Sequence, residues 1–105
     1  MRFGLLLLAA VLFAQSPSAS LSGSIFDELG GPVIAAKLVL RGDGSQLYRG
    51  KSGEQGTFRF GRMEAGTYTL TIDQAGFCKM EIPLISVKVG EQKALPRVVL
   101  KTECD

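Results

Sequence analysis

GTFRFGRMEAGTYTLTI, residues Gly56 to Ile72, holds two alternating runs separated by a short turn. In the second run Tyr68, Leu70 and Ile72 fall on one face, and Thr67, Thr69 and Thr71 fall on the other. That is a period-2 strand, rich in β-formers, with one dry side. Thr57–Phe60 repeats the pattern and turns Phe58 and Phe60 inward. The connecting RMEAG ends in glycine, as a hairpin or a tight crossover between sheets requires. The phase predicts a buried Tyr68 ring with Phe58 and Phe60 as its neighbours.

Outward from this stretch the chain keeps the same period. Leu21–Phe26 alternates weakly, with Leu21 and Ile25 together. Ala36, Leu38 and Leu40 share a face of Ala35–Arg41. Gln46–Lys51 is polar and reads as an edge strand. Phe77–Ile82 sets Cys78, Met80 and Ile82 on one side, Val87–Val89 is short, and Leu95–Lys101 closes the chain with Pro96 near its start, where a missing N–H is tolerated. Gly-containing turns at residues 28–32, 42–45, 52–56, 75–76 and 90–92 separate these segments. No segment after the N-terminal run shows a sustained 3.6-residue apolar stripe. The pattern predicts an all-β fold, a small antiparallel β-sandwich of about seven strands.

The first residues follow a different logic. Met1-Arg2 is a short basic start, Leu5 to Ala14 is unbroken apolar sequence, and Ser16, Ser18, Ala19 and Ser20 are small. Residues 1–20 therefore read as a secretory signal peptide cut between residues 14 and 20. The run falls short of the about 20 apolar residues that span a bilayer. No cysteine lies near the cut, so a lipid anchor is not expected. Residues 21–105 read as one domain, on the order of 85–90 residues, enough for a single core. The expected location is secreted or periplasmic. Without Arg2 the chain has 11 basic and 10 acidic residues and no run of like charge. Nothing there points to nucleic acid or to an anionic membrane. Cys78 and Cys104 are the two cysteines. In an exported protein they are expected to form one disulfide; two free thiols are the alternative.

An ordered set of short motifs covers about residues 21–101. Gly23-Ser24-Ile25-Phe26-Asp27 is followed by Gly30-Gly31-Pro32 and by Ala36-Lys37-Leu38-Val39-Leu40. Ser52-Gly53-Glu54-Gln55-Gly56-Thr57-Phe58-Arg59-Phe60 comes next. Met63-Glu64-Ala65-Gly66-Thr67-Tyr68-Thr69-Leu70 and Gly76-Phe77 complete the series. In this order they resemble the carboxypeptidase regulatory-like domain, a transthyretin-like sandwich in the carbohydrate-binding-like fold group. The resemblance implies that the two central strands build the core as a hairpin. Gly53 departs from the pattern, which usually has Asp there, so the turn before Phe58 must be held by other means.

The sequence limits the chemistry. There is no His, so neither a Ser-His-Asp nor a Cys-His arrangement is available. Asp27 and Glu28 are neighbours that face opposite ways on a strand, and Glu54, Glu64, Glu81 and Glu91 read as solvated charges. The hydroxyisourate hydrolase of the transthyretin fold relies on His and a C-terminal Tyr-Arg-Gly-Ser, whereas this chain has only Tyr48-Arg49-Gly50 in mid-sequence. Two cysteines without His do not complete a zinc site. Asp43 alone cannot supply the oxygens that calcium prefers. No catalytic, cofactor or metal residue is predicted. Arg41-Gly42-Asp43 spells an adhesion tripeptide, but Gly-Asp-Gly is ordinary turn chemistry. The chain has no Asn, which excludes N-glycosylation and the usual Lys–Asn crosslink.

Two function classes remain. One is an exported, non-catalytic accessory module that binds another protein by a sheet face or edge. The other binds a carbohydrate or other extracellular ligand at loop tips, with Tyr48 and Phe26 as the aromatics expected to face outward. The Thr67/Thr69/Thr71 face and the polar Gln46–Lys51 edge favour the first. The expected partner is an extracytoplasmic protein or glycan.

Overall fold

The computed structural model describes residues 18–104. The chain runs through β1 (Ala19–Asp27), β2 (Lys37–Gly42), β3 (Leu47–Lys51), β4 (Thr57–Met63), β5 (Gly66–Asp73), β6 (Met80–Val87), β7 (Gln92–Ala94) and β8 (Val98–Leu100). Two sheets face each other. One has the order β4-β1, with β7 and β8 both along the far side of β1; the other has the order β3-β2-β5-β6. The all-β sandwich read from the alternation is the fold. Its pairings are mixed, however: β1 runs parallel to β7 and to β8.

Of the two readings of RMEAG, the structure takes the crossover, not the hairpin that the resemblance implies. β4 pairs only with β1 and β5 only with β2 and β6, so the short turn carries the chain from one sheet to the other. A bulge prepares it. Leu21 pairs with Phe60 and Ala19 with Met63, which leaves one extra residue on β4 beside Arg62 at φ 52°. Phe58, Phe60 and Met63 therefore all face inward. Tyr68 is buried at 1% exposure, as its phase predicts.

The two faces of the sandwich meet over Leu21, Ile25, Leu38, Leu40, Leu70, Ile72 and Leu100, all fully buried. Burying each such side chain contributes about 1.5–3 kcal/mol. Gly23 lies in phase with Leu21 and Ile25 but has no side chain. The Phe58 ring, its cross-strand partner, fills the place: a Cβ on Gly23 would stand 2.5 Å from Phe58 Cζ.

Polar groups hold the turns at the β1–β2 end. Asp27 Oδ1 accepts the N–H groups of Leu29 and Gly31 at 2.9 and 2.8 Å. The buried Ser52 hydroxyl donates to Val33 O at 2.7 Å and accepts Ala36 N–H at 2.9 Å. The turn at Gly53, which lacks the Asp of the pattern, is closed by backbone alone. Gly53 N–H donates to Thr57 O, and Gly56 N–H to Gly53 O. Gly56 sits at φ 76°, and a Cβ there would run into the carbonyl oxygen of Ile25. Only glycine fits both demands.

The last third of the chain departs furthest from the simple alternation. The segment from Val87 is not a separate strand; it ends β6. Leu70 pairs with Ile82 and Tyr68 with Ile85, so a bulge at Pro83-Leu84 shifts the phase by one residue. Leu84 takes φ 58° and is 82% exposed. The expected final strand over Leu95–Lys101 is broken at Pro96: β7 ends before it and β8 begins after it. Cys78 and Cys104 are joined in a disulfide, with Cα atoms 5.6 Å apart. Cys78 N–H also donates to Lys101 O at 2.7 Å, fixing the end of β8 to the loop before β6.

Candidate binding surface

Tyr48 does not face solvent from a polar edge, as the sequence suggests. It pairs with Leu40 across β2–β3 and so shares the inward phase of Leu40. Its ring is half-buried, with its centroid 6.0 Å from that of Tyr68. The two phenols converge on Glu64: Tyr68 donates its O–H to Glu64 O at 2.6 Å, and the Tyr48 oxygen accepts Glu64 N–H at 3.2 Å. This pair clamps the crossover between the sheets. Burial, then the Tyr48 hydroxyl and the nearby Glu64 and Asp43 carboxylates, pushes the Tyr68 phenol well above its ordinary value of 10.0.

Phe26 does lie on an outer face, half-buried, but its ring is covered. Arg97 Cζ stands 3.8 Å from the ring centroid, a cation–π contact. Among the described residues every aromatic side chain is buried or half-buried. In the Arg41-Gly42-Asp43 stretch, Arg41 belongs to β2, whereas Asp43 lies in the turn after it and donates its N–H to Thr67 O.

The carboxylates are dispersed. Asp27 is occupied by its turn, and Glu91 Oε1 accepts Lys88 N–H at 2.9 Å. Among the described residues no three His, Cys, Asp or Glu side chains are grouped to hold a metal ion. No buried side-chain polar atom among them lacks a hydrogen-bond partner.

Among the described residues, no element covers the outer face of the β3-β2-β5-β6 sheet. The registers place Leu47, Arg49 and Lys51 of β3 beside Arg41, Val39 and Lys37 of β2. Thr69, Thr71 and Asp73 of β5 follow on the next strand. Glu81 of β6 lies opposite Thr71, with Lys79 just before it. Shallow depressions of about 280 and 420 Å³ run over this face around Val39, Thr71 and Leu84. The face holds five cations (Lys37, Arg41, Arg49, Lys51, Lys79) and two acids (Asp73, Glu81). The rest of residues 18–104 holds six cations and seven acids. The basic excess is therefore local, and it lies on β2 and β3. Sequence reading missed it because Lys37, Arg41, Arg49 and Lys51 are scattered over 15 positions and become neighbours only through strand pairing. Their odd numbering within alternating strands is the one signal that could have grouped them.

A further depression, of about 630 Å³, lies along the other sheet where β4 approaches β3. It is lined by Lys51, Gly53, Thr57 and Arg59 among others, with no carboxylate.

Comparison with known proteins bears on these surfaces. Residues 20–101 match the carboxypeptidase regulatory-like domain. Comparison with curated proteins gives no match. Among solved structures, a candidate carbohydrate-binding protein of Bacteroides uniformis is 22% identical over 80% of this chain and 41% of that one, with a TM-score of 0.63. A type II cohesin–X–dockerin complex of Acetivibrio cellulolyticus is 23% identical over 78% of this chain and 56% of that one, with a TM-score of 0.60. The hydroxyquinol 1,2-dioxygenase of Pseudomonas putida is 12% identical over 87% of this chain and 58% of that one, with a TM-score of 0.61. This chain thus spans about half the length of such proteins. At these identities the likeness carries the sandwich fold alone. Among the described residues no helix is long and apolar enough to cross a membrane.

Proposed function

The chain belongs to the carboxypeptidase regulatory-like domain family, and from that membership we propose that it is an exported, non-catalytic accessory module that binds another protein through a sheet surface. The uncovered outer face of β3-β2-β5-β6, with its local basic excess, is the observation that carries this reading. Tyr48, one of the two contact residues expected from the sequence, acts structurally instead: with Tyr68 it clamps the crossover, while Asp27 and Ser52 brace turns. Export is supported by the Cys78–Cys104 disulfide, since such bonds persist in oxidising compartments.

The extent of β1 bears on processing. Ala19 is buried and pairs with Met63, and Ser20 N–H donates to Glu91 O at 2.8 Å. A cut before Ala19, within the window of residues 14–20, leaves β1 whole. Sequencing the N-terminus of exported material tests this; an exported form that retains Met1-Arg2 removes the signal peptide from the account.

A second reading, carbohydrate binding at loop tips, draws on the Bacteroides uniformis neighbour. Sugar recognition leans on open aromatic rings, and here Tyr48 packs on Tyr68 while Arg97 covers Phe26. The protein-binding reading is therefore the better supported. Affinity capture from culture medium or periplasm, set beside binding to a panel of polysaccharides, separates the two. Specific retention of a polysaccharide, with no protein captured, replaces the first reading with the second.

A further inference from the structure

A sheet edge offers a row of unpaired N–H and C=O groups, and proteins commonly blunt such edges. Three of the edges here are blunted. β4 carries its bulge and the positive φ of Arg62. β6 carries Pro83, a bulge and the positive φ of Leu84. β7 and β8 are three residues each, interrupted at Pro96. β3 is different. It is the other edge of the β3-β2-β5-β6 sheet, pairs with β2 without a register shift, and contains no proline and no positive φ.

The register says which groups β3 presents. Gly42 N–H donates to Gln46 O and Ser52 N–H to Ala36 O, so the even-numbered residues of this segment turn their backbone toward β2. Leu47, Arg49 and Lys51 then turn theirs to the open side, each with one N–H and one C=O. Their side chains lie on the basic outer face beside Lys37 and Arg41. Between the two exposed cations sits Gly50, which adds no side chain on the inner side, where the Phe60 ring lies 3.3 Å from the place of a Cβ. The cationic depression by Lys51, Thr57 and Arg59 extends the open ground at one end.

Charge selects the occupant. A second copy of β3 would set Arg49 and Lys51 against like charges, which destabilises cross-strand pairing. A strand bearing carboxylates at alternate positions would meet them favourably. We propose that β3 is a docking strand for an extended acidic segment of another protein, which adds to the sheet as a fifth strand, with alternate carboxylates against Arg49 and Lys51 and small or apolar residues toward Tyr48 and Gly50. The backbone groups supply affinity and the charged row supplies selectivity. This inference rests on the protein-binding reading above and names the chemistry of the partner.

The test uses the full mature chain and two synthetic heptapeptides of alternating pattern, one with Glu and one with Lys at every second position among Thr and Val. Fluorescence anisotropy should show binding of the Glu peptide, weakened by added salt, and little of the Lys peptide. Hydrogen exchange of the Arg49 and Lys51 amides should slow when the Glu peptide is bound. The double variant Arg49→Glu/Lys51→Glu should lose about tenfold or more in affinity for the Glu peptide and gain for the Lys peptide, with an unchanged urea melt. No binding of the Glu peptide overturns the proposal. So does binding that leaves the two edge amides exchanging freely, or equal competition by polygalacturonate, because either means attraction of any polyanion to the face. Capture experiments distinguish the levels. A partner retained by both wild type and the double variant keeps the accessory-module reading and removes the edge from it. Peptide binding with no captured partner keeps the edge chemistry and removes that reading.

Discussion

Replacing Tyr68 separates two contributions that meet in one residue. The residue is 1% exposed, and its ring packs beside that of Tyr48, with centroids 6.0 Å apart. Its hydroxyl donates to Glu64 O at 2.6 Å. Tyr68→Ala removes both, and truncating a buried aromatic costs about 3–5 kcal/mol. A domain this small has a total stability of about 5 kcal/mol, the low end of the usual range, so this variant should be largely unfolded at ambient temperature. Tyr68→Phe keeps the ring and leaves the Glu64 carbonyl without its donor, which costs about 1–2 kcal/mol. Titration gives an independent reading. Because burial raises the phenol pKa above its unfolded value of 10.0, the neutral form is the one the fold holds. The stabilisation is complete below pH 10.0 and is lost as pH rises above it: the unfolded phenol has given up its proton while the folded one keeps it. Each further pH unit then shifts the folding equilibrium roughly tenfold toward the unfolded chain. Urea melts of wild type, Tyr68→Phe and Tyr68→Ala, at neutral pH and at successive alkaline values, measure all of this. Tyr68→Phe should show a shallower alkaline decline than wild type. If Tyr68→Ala melts like wild type, the phase of β5 is wrong; if Tyr68→Phe keeps both the stability and the alkaline slope of wild type, the Glu64 bond carries no weight.

Three further outcomes follow from the packing. Cys104→Ser opens the loop closed across a sequence separation of 26, which the chain-entropy account puts at roughly 3 kcal/mol; a clear drop in melting temperature is expected, and the native mass should lack the two thiol hydrogens. Gly23→Ala forces the Phe58 ring away from a Cβ 2.5 Å from its tip and should cost about 1–3 kcal/mol. Adding Phe58→Leu to it should cost less than the two single changes together, and strict additivity in the urea melts would count against the contact. Tyr48→Ala should destabilise by about 1 kcal/mol or more, because its half-buried ring supports Tyr68 and its oxygen accepts Glu64 N–H; a melt within about 0.5 kcal/mol of wild type would return Tyr48 to the solvent-facing role that the sequence suggests.

The sequence alone determined the fold class and most of the core, because period-2 alternation is a local property. The inward set of Ala36, Leu38, Leu40, Phe58, Phe60, Tyr68, Leu70 and Ile72 follows from spacing, and the structure buries all of it. The ordered motifs around Gly23, Asp27, Ser52, Gly56 and Tyr68 likewise pointed to the family, although only Asp27 and Tyr68 act on residues close in sequence, whereas Gly23, Ser52 and Gly56 meet partners on other segments. Gly23 leaves space for Phe58, Asp27 braces a turn, Ser52 supplies a buried hydroxyl, Gly56 takes a positive φ and Tyr68 clamps the crossover. The phase was lost wherever a bulge intervened. One extra residue at Arg62 or at Pro83-Leu84 reverses which side chains face inward, and only the partner strand shows that it is extra. Tyr48 was misjudged for a related reason. Its segment is polar, but its face is set by pairing with Leu40, a contact made across a turn. The basic patch was beyond sequence reading altogether: Lys37, Arg41, Arg49 and Lys51 form one surface only once β2 and β3 are in register. Whether β3 is a free, regular edge depends further on where every other strand has gone, because an edge is defined by the absence of a neighbour, and that is fixed by the whole chain rather than by any segment of it.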